Sequence, residues 1–102
     1  MRKFTFYVGT NDKDLTIQRQ YDDEYFINTF KNVFDDFTYQ KATGLYTMQT
    51  YPNTTIIEET FIITVINNFS DMNIKNICKY LKNQLNQESI LVQIESFNGG
   101  LY

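Results

Sequence analysis

The sequence predicts a single α+β domain in which a four-stranded antiparallel sheet carries two helices on one face. Three observations lead to that class. Apolar residues alternate with period two in the first and last apolar segments, and they recur with a 3.6-residue period in two stretches between. The segments follow the order strand, helix, strand, strand, helix, strand. Two helices cannot cover both faces of a four-stranded sheet, so they share one. Right-handed crossovers then interleave the strands as a split βαβ unit, the ferredoxin-like βαββαβ plait. A chain of 102 residues with 42% hydrophobic content holds material for one core, so residues 1–102 form one domain.

From Lys3 to Gly9, Phe4, Phe6 and Val8 point one way and Thr5 and Tyr7 the other, the pattern of a half-buried strand. Gly9 closes it, and Thr10 to Gln20 reads as a polar loop. Tyr21-Asp22-Asp23-Glu24 forms an acidic first turn suited to the positive end of a helix dipole. Phe26, Ile27, Phe30, Val33 and Phe34 continue it as one apolar stripe, a helix of three to four turns. Phe37 to Met48, rich in Thr, Tyr and Phe, is the second strand, and Gly44 in its middle predicts a bulge or bend. The turn Tyr51-Pro52-Asn53-Thr54 makes a hairpin with Ile56 to Ile66. Both faces of that third strand are largely apolar, which predicts a central place in the sheet or a covered second face. Ser70 or Asp71 caps the second helix, with Ile74, Ile77, Cys78, Leu81 and Leu85 inward and Lys75, Lys79 and Lys82 outward. The last strand, Ser89 to Phe97, turns Ile90, Val92 and Ile94 to the core.

Composition removes several classes of function. There is no histidine and one cysteine, so imidazole bases, the usual hydrolase pairings and common zinc sites are absent, and no internal disulfide can form. Cys78 lies on an apolar stripe and reads as a small buried hydrophobe. The start Met1-Arg2-Lys3 runs into a strand and no apolar run approaches a membrane span, which predicts a cytoplasmic protein without a signal peptide. A net charge of −3 disfavours nucleic acid as a partner, since phosphate neutralisation needs a basic face. Abundant Asn, Ile, Phe, Tyr and Lys, all with A/T-rich codons, point to a low-GC bacterium or its phage.

The uncovered sheet face is the strongest functional expectation. It should carry Tyr7, Tyr39, Ile62 and Leu91 among Thr5, Lys41, Thr60, Thr64, Gln93 and Glu95. An exposed apolar patch above about 400 Å² marks an interface, so a homo-oligomer packed sheet to sheet is expected, against the alternative of an ordinary wetted face. A similar aromatic sheet serves RNA-recognition modules, but their glycine-rich aromatic signature is missing here.

Candidate chemistry is sparse. Asn11-Asp12-Lys13-Asp14 begins like a calcium loop, yet Ile17 and Asp23 occupy the positions where glycine and glutamate are required, so no metal is expected. Glu58 and Glu59 are neighbours in a strand, point to opposite faces and cannot act as a dyad. Thr43-Gly44 permits a close approach. With the loop after the first strand it could form a polar pocket of Thr10, Asn11, Lys13, Arg19, Thr43 and Tyr46, in which Lys13 and Arg19 would hold a phosphate or carboxylate. A bulge beside a loop is the plain alternative.

The stretches FYVGTNDKD, DFTYQKATGLY, IEETFIITV and NQLNQESILVQIE span most of the chain. Through them the sequence resembles a family of small uncharacterised bacterial and phage proteins, a domain of unknown function. The resemblance implies a ferredoxin-like plait assembled through its sheets. It brings no activity, cofactor or catalytic residue. Together these readings predict a non-enzymatic cytoplasmic binding protein, a phage counter-defence factor sequestering a small anionic, nucleotide-like ligand as a homo-oligomer. The alternatives are a dimeric α+β-barrel enzyme acting on a small molecule and an inhibitor of a host protein.

Overall fold

A computed structural model describes residues 1–14, 21–47 and 55–102, the side chains of Tyr46 and Ile56 excepted. Along the chain run β1 (Arg2–Gly9), α1 (Asp23–Lys31), β2 (Thr38–Thr47), β3 (Thr55–Asn67), α2 (Asp71–Leu85) and β4 (Leu91–Ser96). The sheet order is β2-β3-β1-β4 and every neighbouring pair is antiparallel. β3 is thus inserted between β1 and β2, and β1 between β3 and β4, the interleaving of the ferredoxin-like plait. The two-sided apolar character of β3 has its explanation in this central position. The expected turn at 51–54 lies outside the described residues.

The core follows from paired alternation. Phe4, Phe6 and Val8 lie opposite Val65, Ile63 and Phe61, and all six are buried. Phe26 and Phe30 of α1 press on Phe61 with ring centroids 5.3 and 5.4 Å away, and α2 adds Leu81 and Leu85. Burying one such side chain contributes about 1.5–3 kcal/mol, more than an exposed ion pair supplies, so this layer decides which face the helices take.

Local signals set the helix ends. Asp22 caps α1, its side chain accepting from the Tyr25 N–H at 2.9 Å. Ser70 and Asn73 form a reciprocal capping box at α2. α1 is shorter than expected, nine residues rather than three to four turns. Its stripe nevertheless continues past the helix: the Phe34 N–H donates to the Phe30 carbonyl at 2.9 Å in the following turn, and Phe34 stays in the core. At the end of α2, Asn86 adopts the left-handed conformation with φ 47 and ψ 53.

Two expectations about β2 are corrected. Its ladder with β3 runs unbroken from Thr38 opposite Thr64 to Thr47 opposite Thr55, so Gly44 lies in a regular strand and not at a bulge. Tyr39 and Lys41 pair with Ile63 and Phe61, which places them on the helix side rather than the open face. There Tyr39 packs near Phe61, and the Lys41 ammonium sits 2.7 Å from Asp23 and 3.2 Å from Glu59. β2 is amphipathic on neither side, so its own pattern does not set its parity; the hairpin register with β3 does. The open face instead carries Thr38, Gln40 and Ala42 from β2. Tyr7 is paired with both Ile62 and Leu91, so these three expected interface residues form one row across that face. Thr5 and Thr60 beside them are buried, and Leu91 is 67% exposed. No helix among the described residues is long and apolar enough to cross a membrane.

Candidate functional site

β4 begins only at Leu91, opposite Tyr7, so beyond that row β1 has the α2–β4 connection beside it instead of a paired strand. A cleft of about 460 Å³ opens at this end of the open face. Tyr7, Gly9, Glu58, Gln87, Glu88 and Leu91 line it, with Leu45, Thr47 and Ser89 at its margins.

Glu58 is the chemical centre of the cleft. It is half-buried, and its Oε2 accepts from the Asn11 N–H at 2.8 Å. Burial raises its pKa above the ordinary glutamate value, while hydrogen bonds from the backbone of Asn11 and Thr10 oppose the rise. Gly9 permits this placement. A Cβ there would lie 2.3 Å from Glu58 Oε1 and 2.8 Å from its Cδ. The backbone of Gly9 is not left-handed, so glycine serves close approach here and not an unusual φ. Glu59, on the other side of β3, faces Lys41. The two glutamates are separated by the sheet, as strand alternation requires.

The end of α2 holds the segment after β1. The Gln87 side chain donates through Nε2 to the Asn11 carbonyl at 2.7 Å, and Asn86 Nδ2 donates to Asp12 Oδ1 at 2.5 Å and to Asp14 Oδ2 at 3.0 Å. The Lys13 N–H closes the set on the Asn86 carbonyl at 2.9 Å. The carboxylates of Asp12 and Asp14, in the stretch that only begins like a calcium loop, are thus bound to an asparagine amide, and no group of three or more His, Cys, Asp or Glu that could hold a metal occurs among the described residues.

Of the six residues expected to form an anion pocket, the four with described side chains, Thr10, Asn11, Lys13 and Thr43, do not meet in one. Thr10 is buried, with its hydroxyl donating to the Glu59 carbonyl at 2.8 Å. Asn11 supports Glu58 through its backbone, and the Lys13 side chain is exposed. Thr43 pairs with Glu59 on the helix side, across the sheet from the cleft. Arg19 and the side chain of Tyr46 lie outside the described residues. The described cleft lining carries two carboxylates, Glu58 and Glu88, and neither Lys nor Arg, which reverses the electrostatic expectation. The sequence does not show that Glu58, Gly9 and Gln87 meet, because only tertiary structure joins them. The available signal was a single acid at the end of an otherwise Thr- and Ile-bearing open-face row, Glu58-Thr60-Ile62-Thr64.

No protein-family model matches the chain, and no curated protein does. Solved structures share its fold. A phage SAM lyase in complex with S-methyl-5'-thioadenosine superposes with a TM-score of 0.69 at 22% identity, covering 92% of this chain and 79% of that one. A phage SAM lyase in its apo state gives a TM-score of 0.61 at 20% identity, covering 92% and 78%. The resemblance to an uncharacterised family therefore finds no matching family model, while its expected fold and phage association have counterparts in these neighbours.

Proposed function

We propose that the chain binds an adenosine-linked sulfonium or thioether in the Glu58 cleft and cleaves the carbon–sulfur bond of S-adenosylmethionine. The carrying observation is a half-buried carboxylate, held by backbone N–H groups, in an acidic cleft on a fold shared with a phage SAM lyase. A sulfonium is a fixed cation, and a partly desolvated carboxylate attracts it far more strongly than water does. On cleavage the bonding pair leaves with sulfur as neutral S-methyl-5'-thioadenosine. The amino-acid fragment restores its own electron count by losing a β-proton or by attack of its own carboxylate, so neither route needs a second substrate. Glu58 faces the sulfonium in this reading, and its raised pKa makes it a stronger proton acceptor than an ordinary glutamate.

This reading replaces the anionic ligand and the non-enzymatic class expected from sequence and keeps the small nucleoside-like ligand. It also keeps self-association and a counter-defence role as proposals. The row Ile62–Tyr7–Leu91 borders the cleft, so a second copy packed on the open face would roof it, and consuming a host metabolite requires no contact with a host protein. The test incubates the protein with S-adenosylmethionine and follows S-methyl-5'-thioadenosine by mass spectrometry, with calorimetry for binding. Release of the thioether, reduced about 10²–10⁴-fold in Glu58→Gln, is the expected result. Binding without turnover would return the chain to the sequestering class, and no binding of either compound would reject the reading.

A further inference from the structure

We infer that Gln87 is a positioning residue, whose side-chain amide fixes Asn11 so that the Asn11 N–H holds the Glu58 carboxylate. The inference rests on the proposed function only for its consequence in turnover. Gln87 is 8% exposed, an unusual degree of burial for an amide in a connection between a helix and an edge strand. Its Nε2 has two acceptors, the Asn11 carbonyl at 2.7 Å and the Leu85 carbonyl at 3.2 Å. The first bond fixes one side of Asn11, and on the other side the Asn11 N–H meets Glu58 Oε2 at 2.8 Å. The amide and the carboxylate also flank one Cα: a Cβ on Gly9 would lie 2.3 Å from Glu58 Oε1 and 3.0 Å from Gln87 Oε1.

Gln87 is itself fixed from behind. Its N–H donates to the Lys82 carbonyl at 3.1 Å, and the left-handed Asn86 before it turns the chain off α2. The line of support therefore runs from the helix end through Gln87 and Asn11 to Glu58. Tyr7 from β1 and Glu88 from the α2–β4 connection are the titratable groups sharing the cleft, and Lys41 and Glu59 lie across the sheet. Neither Tyr7 nor Glu88 is a cation, so backbone donors are the groups in the described lining that favour ionised Glu58, against the larger effect of burial. Gln87 touches no reacting atom in this account and acts through Asn11.

The test is a carbon-detected NMR titration of the Glu58 carboxyl in wild type, Gln87→Met and Asn73→Ala. Gln87→Met keeps the volume and removes the donor, so the Glu58 midpoint rises further. Asn73→Ala weakens the α2 capping box far from the cleft and leaves the midpoint in place. If Gln87→Met does not fold, Gln87→Leu takes its role, since it lacks the donor and adds no charge beside Glu58; the same upward move is expected. Turnover of S-adenosylmethionine by the Gln87 variant should fall below that of the wild type and recover as pH rises, the profile of a displaced titration and not of lost folding. An unmoved Glu58 midpoint in the folded Gln87 variant overturns the inference. A moved midpoint in a protein that neither binds nor cleaves S-adenosylmethionine leaves the inference standing and rejects the proposed function.

Discussion

Replacing Gly9 with alanine tests the geometry of the cleft directly. Ordinary carbon–oxygen contact begins near 3.4 Å, and the new methyl would lie 2.3 Å from Glu58 Oε1, so the carboxylate must withdraw by about 1.1 Å. A displacement of that size takes the 2.8 Å bond from the Asn11 N–H out of hydrogen-bonding range. Loss of a buried partner costs about 1–3 kcal/mol and overpacking about 1–3 kcal/mol, against a gain of about 0.4–1 kcal/mol from a stiffer unfolded chain. The net expectation is a destabilisation of about 2–4 kcal/mol, read by urea denaturation or as a melting point lowered by about 4–8 °C per kcal/mol. The decisive comparison is a double-mutant cycle. With Glu58→Ala already in place the methyl enters vacated space, and Gly9→Ala should change stability by less than about 1 kcal/mol. Because Gly9 has no positive φ, backbone strain offers no competing cause. Equal destabilisation in both backgrounds would refute the close-approach argument, and so would a neutral Gly9→Ala in the wild type.

The remaining predictions concern the same end of the molecule. Asn86→Gly keeps the left-handed backbone and loses the side-chain bonds to Asp12 and Asp14, for a cost of about 1–2 kcal/mol; Asn86→Ala adds about 1 kcal/mol of backbone strain. Urea midpoints for the two variants should rank in that order, and a reversed order would show that the left-handed backbone at position 86 costs alanine nothing. The raised pKa of Glu58 means that the native state holds a proton which the unfolded chain has already lost, in the window between the ordinary glutamate value and the raised one. Stability therefore falls as pH rises through that window, and Glu58→Gln removes the fall and is the more stable protein at neutral pH. Denaturant stability curves from pH 4 to 8 that run parallel for the two proteins would contradict this.

Much of the architecture was legible in the residues. Phe4, Phe6 and Val8 and the row Phe61, Ile63 and Val65 are apolar where they must be, and the cap at Ser70 and the acidic entry to α1 can be read from the chain. Those signals are local or strictly periodic, and burial rewards them wherever the segment ends up. β2 was misread on both counts for lack of such a signal. Tyr39 and Lys41 suit a wet surface as well as a helix flank, and a central glycine looks the same in a bulge and in a regular ladder. The helix after Asp22 ended early because Phe34 reaches the core from a turn as readily as from a helix. Thr10, Asn11, Lys13 and Thr43, expected in one anion pocket, share polarity but no common face.

The sequence by itself determined the class of fold, the composition of the core and the side of the sheet that the helices cover, because each depends on the short-range rhythm of apolar residues. Tertiary structure alone decided the cleft. Gly9, Glu58 and Gln87 come from one strand end, another strand and the exit of a helix, and what joins them is the late start of β4, which leaves β1 flanked by a connection. Their meeting depends on strand register and on a single left-handed residue, Asn86, neither of which has a periodic signature in the chain.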